Sequence, residues 1–282
     1  MCRNMNRTYR ELFIQAVQEL TDAGVPEPSA DTWILFEAAF QIGRGAYYMN
    51  PDGIPQEEKI QRFRKLVEQR RKRIPVQYIT GEQEFMGLSF RVTPAVLVPR
   101  QDTEILVDTV LHRIGERTVQ VLDLCTGSGC IAVSLAKLAA NAVVTAADIS
   151  TEALAVAAEN GKRNNVEVCF VESDLFSGVE GLFDVIVSNP PYIPSADILD
   201  LEPEVKEHEP MLALDGTADG LFFYRQIVRQ AVSHLREAGI LAFEIGYNQA
   251  EAVTQMMEEA GFSDIQVIKD LAGLDRVVIG TI

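Results

Sequence analysis

Residues 121–132 read VLDLCTGSGCIA, and the passage from an apolar half to a glycine-rich half decides the fold. A strand over 119–124 runs into a turn at Gly127 and Gly129, and a helix follows from 130 to 139. Glycines in such a turn let the backbone approach a ligand closely, and the start of the helix offers free N–H groups. With Ala132 the spacing is G-x-G-x-x-A, which also satisfies the dinucleotide fingerprint. This stretch alone therefore does not separate NAD from other adenosine ligands.

The strands on either side narrow the choice. Asp148 ends the next strand, 142–147, where a carboxylate can accept both hydroxyls of a ribose. Asp174 ends the third strand, 167–173, in VESDLF, where it can accept from an adenine amino group. Asp123 stands just before the turn. It can receive the ammonium group of S-adenosylmethionine there, whereas a pyrophosphate would be repelled. The fourth strand, 183–188, stops at Asn189-Pro190-Pro191-Tyr192. Two successive prolines remove two donors and fix two φ angles, so the strand must end there.

Such a rigid loop suits one chemistry. A planar NH₂ group on a carbonyl or an aromatic ring is a weak nucleophile, because its lone pair is delocalised. If Asn189 Oδ1 and the Pro190 carbonyl each accept one N–H, the nitrogen is fixed with its lone pair free to attack a sulfonium methyl. Both bonds tighten as the protons become more acidic, which is stabilisation directed at the transition state. Tyr192 can pack on the planar group. No general base is evident, and His112, His208 and His234 form no cluster. No metal is expected: a solvated loop accounts for Glu202, Glu204, Glu207 and Glu209 around His208.

The rest of the chain fits an α/β catalytic domain over 101–282, preceded by a small all-α domain over 1–75 and a β-hairpin linker over 76–100. In the first segment, Thr8 and Glu11 fit a capping box before Leu12, Ala16 and Leu20, with Gly24 as the stop. Ser29 is placed to cap a second helix carrying Trp33, Ile34, Phe36 and Ala38. A third, from about Gln56, lines up Ile60, Phe63, Leu66 and Val67 opposite a basic face that runs into Arg70-Arg71-Lys72-Arg73. The plain reading of that face is solvated surface; the sharper one is a docking surface for a large acidic or ribonucleoprotein partner. After strand 183–188 come a long loop at 189–219, a helix at 220–238, a strand at 240–246, a helix at 248–260 and strands near 264–269 and 276–281. Alternating strands and helices imply a mostly parallel, doubly wound sheet, and the last two strands form an antiparallel pair at its edge.

The net charge is −16. Residues 1–75 hold 12 Lys and Arg against 10 Asp and Glu, leaving −18 on the remainder. A body so acidic is a poor partner for a phosphate backbone. No run approaches the roughly 18 apolar residues of a membrane span, and the first residues lack the apolar core of a signal peptide. Cys2, Cys125, Cys130 and Cys169 include no C-x-x-C pair and are read as reduced thiols, so a cytoplasmic setting without membrane attachment is expected.

With these residues in view, the chain resembles the class I, Rossmann-like amino-group methyltransferases. More narrowly it resembles the glutamine N(5)-methyltransferases of peptide chain release factors. N-P-P-Y is shared with DNA adenine and RNA guanine enzymes. What narrows the choice is TGEQEFMGLSFRVTPAVLVPRQDTE at 80–104, the helical domain ahead of it, and EPMLALDGTADGLFFY at 209–224. The resemblance covers nearly the whole chain. It implies S-adenosylmethionine as methyl donor, a Gly-Gly-Gln loop of a class 1 release factor as substrate, and a helical domain that helps grip that protein. It also implies cofactor contacts at Asp123, Cys125, Thr126, Gly127, Ser128, Gly129, Asp148, Asp174, Leu175 and Asn189. Substrate contacts fall at Asn189, Pro190, Pro191 and Tyr192, with Asn189, Pro190 and Tyr192 catalytic. Arg100 and Glu104 are expected near the methionine end of the cofactor or in loop contacts. Cys125 stands where many such enzymes have a glycine, and a small side chain fits there if its φ is negative. The alternatives are an adenine N6 or guanine N2 methyltransferase of nucleic acid, which would need a basic groove beside Asn189, and a nonenzymatic cofactor-binding module.

Overall fold

A computed structural model describes residues 7–282; Cys2 lies outside the described residues. The chain divides into two compact units, one running to Gly81 and including Pro203–His208, the other formed by Glu82–Glu202 and Glu209–Ile282.

Up to Gly81, the described residues of the first unit form five helices: α1 (Tyr9–Asp22), α2 (Pro28–Phe40), α3 (Arg44–Met49), α4 (Glu57–Arg71) and α5 (Val76–Thr80). The capping box forms at α1, where Thr8 Oγ1 accepts from Glu11 N and Glu11 Oε2 accepts from Thr8 N. Ser29 does not cap α2. Pro28 takes the first helical position, where its missing N–H costs nothing and its fixed φ suits the turn. The buried face of α2 is accordingly Trp33, Leu35, Phe36, Ala39 and Phe40, while Ile34 is exposed. The sequence pattern gives no sign of α3, yet it supplies Tyr47, whose ring meets Trp33 edge-on at 5.0 Å and Phe36 at 5.5 Å.

The basic run is only partly a solvated face. Arg70 is 4% exposed, bonded to Asp31 Oδ2 at 2.6 Å through Nε and to Glu204 Oε1 at 2.6 Å through Nη2. Arg73 Nη2 reaches Glu204 Oε2 at 2.5 Å. Burial pushes the Glu204 carboxyl up, but the bonds from Arg73 and Arg70 outweigh it and hold it below the usual value. Buried charges persist only when paired, so this acid is bound by the helices rather than solvated.

The second unit opens with a hairpin, β1 (Glu82–Phe85) and β2 (Leu88–Arg91). Met86 and Gly87 at its turn have φ of 51° and 69°, the left-handed pair that two-residue hairpins favour. Its Phe85 and Phe90 join the core of this unit. Then come α6 (Gln101–Ile114), β3 (Val119–Leu124), α7 (Cys130–Leu138), β4 (Ala142–Asp148), α8 (Thr151–Arg163), β5 (Cys169–Glu172) and β6 (Phe183–Ser188). The long loop carries the short α9 (Pro203–Lys206), and α10 (Phe222–Ala231), β7 (Leu235–Glu244), α11 (Ala250–Glu259), β8 (Ser263–Lys269) and β9 (Asp275–Thr281) complete the chain. No helix of the described residues is long and apolar enough to cross a membrane.

The sheet order is β5-β4-β3-β6-β7-β9-β8, parallel from β5 to β7, with β9 antiparallel to both neighbours. β3 and β6 are central and covered on both faces, which is why each reads as a nearly unbroken apolar run. The helix expected over 220–238 ends at Ala231. Ser233 Oγ and the His234 ring both bond Gln230 O and terminate it, and His234 O then receives Phe183 N, starting β7 at Leu235. Strand order reverses between β3 and β6, so the carboxyl ends of β3, β4, β5 and β6 meet at one edge, where ligands of such sheets lie.

Candidate active site

At that edge is a cavity of about 350 Å³, a size typical of cofactor sites. One wall is the β3–α7 turn. Cys125, Gly127 and Gly129 have φ of 60°, 53° and 78°, so the chain alternates through the left-handed region to reach the helix. Cys125 therefore does not meet the condition of a negative φ. Thr126 N must reach Ala147 O, at 3.1 Å, within two residues of the strand end, and that sharp turn puts Cys125 where a glycine would carry less strain. Gly129 is required for packing, because a Cβ there would lie 2.9 Å from the Ala157 Cβ. Gly127 has open space beside it and lines the cavity.

Asp148 lines the cavity too. Its Oδ2 accepts from Gly127 N at 2.8 Å and its Oδ1 from Ser150 N at 2.9 Å, so the acid fixes the turn and keeps a lone pair on each oxygen. Burial pushes its carboxyl up against these bonds. Ser128, Asp174 and Leu175 also line the cavity, as do Thr126, Asn189 and Pro191. Asp123 is not among the lining residues. It is fully buried beneath the turn, where Oδ2 accepts from Thr126 Oγ1 at 2.6 Å and Ala132 N at 3.2 Å, and Oδ1 has no hydrogen-bond partner. Burial pushes its carboxyl up to about 7, with the Thr126 and Ala132 bonds pulling it down.

Arg100 lines the cavity and Glu104 does not. Glu104 Oε1 instead accepts from Met86 N at 2.6 Å, bracing the hairpin turn. Arg100 Nη2 bonds Glu209 Oε1 at 2.7 Å. Glu209 is buried, so it too departs from the solvated-loop reading; burial raises its carboxyl against the Arg100 charge. Among the described residues that line the cavity with Asn189, Arg100 is the one cation.

The loop after β6 is held from behind. Asn189 Nδ2 donates to Thr103 Oγ1 at 3.3 Å. Pro190 and Tyr192 do not line the cavity. Tyr192 O accepts from Gln249 Nε2 at 3.0 Å, and the same amide bonds Gly220 O and receives Gly246 N. A Cβ on Gly216 would lie 2.8 Å from the Tyr192 backbone, and one on Gly220 2.3 Å from Tyr192 O. The glycines of EPMLALDGTADGLFFY thus leave room for N-P-P-Y. Behind them the Tyr192 hydroxyl is 3.5 Å from Glu244 Oε1. Glu244, Thr103 and Gln249 are site residues the sequence reading missed. Glu244 lies inside a strand with no motif around it, and only the pairing of remote segments brings it to the Tyr192 hydroxyl. No group of three or more His, Cys, Asp or Glu among the described residues is placed to hold a metal ion.

The residues suit an adenosine ligand with a cationic tail. A cavity of that size opens beside a glycine turn that leaves space, Asp148 and Asp174 stand on its wall, and an unpartnered carboxylate oxygen lies under its floor.

Comparison with known proteins agrees. The family model described as Methyltransferase small domain matches residues 100–201, and that described as PrmC N-terminal domain matches 11–81. A release factor glutamine methyltransferase of Geobacter sulfurreducens is 46% identical over 264 residues, covering 93% of this chain and 93% of the relative. One of Clostridium botulinum is 38% identical over 95% of this chain and 97% of its own length. A solved methyltransferase of Pyrococcus furiosus matches 70% of this chain and 90% of its own with a TM-score of 0.54 at 22% identity, a likeness of fold.

Proposed function

The chain belongs to the release factor glutamine methyltransferase family, and from that premise we propose how its cavity performs the reaction. The protein is an enzyme that transfers a methyl group from S-adenosylmethionine to the side-chain amide nitrogen of a glutamine in a peptide chain release factor. The finer substrate is the glutamine of the Gly-Gly-Gln loop in a class 1 release factor, which places the reaction in the cytoplasm, where translation ends. The bound donor supplies a methyl group on a positively charged sulfur.

What carries this reading is a single juxtaposition: the glycine turn, Asp148, Asp174 and Asn189 line one cavity. Asp148 accepts from the ribose hydroxyls with the lone pairs its backbone bonds leave free, and Asp174 accepts from the adenine amino group. Gly127 gives the ligand close access to the backbone of the turn. Asp123, from beneath, adds negative potential under the cationic end. Asn189 Oδ1 accepts one N–H of the incoming amide and the Pro190 carbonyl the other. The nitrogen's lone pair is then aimed rather than shared with water, and bonds that strengthen as its protons acidify lower the barrier. The prolines keep the acceptors from relaxing away, and Leu212 and Phe222 add apolar surface to the cavity. The helical unit holds the body of the release factor.

The test is direct. The full chain is incubated with methyl-labelled S-adenosylmethionine and an intact release factor, and the protein is digested and mapped by mass spectrometry. Label on the glutamine side-chain amide is expected. Label from a cell extract that nuclease releases and protease does not would overturn the reading in favour of a nucleic-acid substrate.

A further inference from the structure

We infer that Asn160 is a positioning residue for the methyl donor: it ties the Ser128 carbonyl in the β3–α7 turn to the hairpin and so holds the turn in the shape that S-adenosylmethionine meets. This rests on the reading of the cavity as the donor site. A turn built on Gly127 and Gly129 has a freedom that its own side chains cannot restrict, because neither glycine carries a Cβ. Ligand affinity falls in proportion to the fraction of molecules whose site is correctly shaped. The restraint on this turn therefore has to come from outside it.

One face of α8 supplies that restraint. Ala157, Asn160 and Asn164 follow one another along it at spacings of three and four residues. Ala157 packs against Gly129, where an added Cβ would come within 2.9 Å of its own. Asn164 Nδ2 donates to Ser89 O of the hairpin at 3.0 Å. Asn160 lies between them and reaches both the turn and the hairpin. Its Nδ2 donates to Ser128 O at 2.9 Å and to Arg91 O at 3.0 Å, and its Oδ1 accepts from Arg91 N at 2.7 Å. Turned over, the amide would set its oxygen against two carbonyls, so its partners fix its orientation. The side chain is fully buried, where a bond left unmade is costly.

Anchoring the hairpin would need only the two bonds to Arg91. The third goes to the turn, and it closes a gap there. Gly129 N donates to Thr126 O at 2.8 Å, so the peptide between Ser128 and Gly129 is held at its N–H from within the turn and at its C=O by Asn160. Gly129, at a φ of 78°, offers no side chain to resist rotation of that peptide. Gly127 N is fixed from the other side by Asp148 Oδ2, at 2.8 Å. Asn160 completes the hold on a turn whose Gly127 and Ser128 line the cavity.

Asn160→Ala and Asn164→Ala in the full chain separate positioning from packing, because both remove a bond to the hairpin and only the first removes one to the turn. Asn160→Ala should weaken S-adenosylmethionine binding in calorimetry roughly 10–100-fold, the range for a buried group left without its partner. Asn164→Ala should leave it unchanged. In methyl transfer to intact release factor, Asn160→Ala should raise the donor KM and keep kcat; a merely loosened fold would lower kcat at unchanged KM through a smaller active fraction. Asn160→Asp sets an oxygen against both carbonyls and should lose at least as much donor affinity, and the alanine variant alone decides if that charge prevents folding. A second readout needs no donor: hydrogen exchange at Gly127 and Gly129 N–H, followed by mass spectrometry, should speed up in Asn160→Ala and not in Asn164→Ala. Donor affinity kept in Asn160→Ala, or an equal loss in both alanine variants, would overturn the inference. Should the wild type bind no S-adenosylmethionine, the reading of the cavity fails, while exchange at the turn still decides the role of Asn160.

Discussion

Replacing Asp123 by Asn should make the free protein more stable at alkaline pH. The acid is fully buried, with Thr126 Oγ1 and Ala132 N on one oxygen and nothing on the other. Its carboxyl is raised from 3.8 to about 7. A raised carboxyl binds its proton more tightly in the folded state, so the stability it contributes is complete below the unfolded value and is lost as pH rises through the folded one. At about 1.36 kcal/mol per unit, the wild type gives up about 4 kcal/mol over the full window and about 2 kcal/mol of that between pH 5.5 and 7. The amide variant cannot ionise and loses none of it. Against this, its NH₂ end replaces an oxygen that already lacks a partner, a desolvation cost of about 1–3 kcal/mol. The two effects cancel near pH 5.5 and leave the variant about 1–3 kcal/mol more stable at pH 8. Urea denaturation across pH 5–8.5 measures the difference. Because Asp123 acts on the donor through the cavity floor, S-adenosylmethionine affinity should fall less than about tenfold, well short of the 1.5–3 kcal/mol of a direct charged hydrogen bond. A stability difference that does not change with pH would refute the assignment of a buried, raised carboxyl. A larger loss of affinity would mean that the acid touches the ligand.

Three further outcomes follow from the site and the helical unit. Asp148→Ala should weaken S-adenosylmethionine binding by roughly 1.5–3 kcal/mol in calorimetry, because it removes both the ribose acceptor and the bond that fixes Gly127 N; unchanged affinity would move the ribose elsewhere. Asn189→Ala should keep donor binding and lose about 10²–10³ in single-turnover rate, the cost of one preorganised transition-state bond, with Asn189→Asp losing less because a carboxylate still accepts. Arg70→Met should destabilise the chain by about 3–5 kcal/mol in urea denaturation, since it leaves Asp31 without its buried partner and Glu204 with Arg73 alone; adding Asp31→Asn should recover part of that loss.

What the sequence made legible was whatever is written in consecutive residues. The β3–α7 turn, the acids at strand ends and the proline stop after β6 are local signals, and each lies where the pattern puts it. Failures came where a local rule met a competing one. Ser29 is a good cap, but Pro28 one residue earlier is a better start for α2. The run through Arg70 looks solvated because the acids that neutralise it are 39 and 134 positions away in sequence. Glu244 and Thr103 carry no motif, and their place behind the N-P-P-Y loop arises only when β7 pairs with β6 and Asn189 meets Thr103 from α6. The sign of φ at Cys125 is not written in its neighbours, because the left-handed conformation accompanies the bond from Thr126 to Ala147, on another strand.

The close approach of Gly216 and Gly220 to the Tyr192 backbone bears on how variation in this protein should be read. A saturation scan scored only by growth would find these two positions as intolerant as Asn189, since any side chain there displaces the loop that presents the amide. Intolerance would then mark empty space as strongly as it marks chemistry. Scoring each variant twice, once for thermal stability and once for methyl transfer at a temperature where it is folded, separates the two: substitutions at the glycines fail the first score, and substitutions at Asn189 fail only the second.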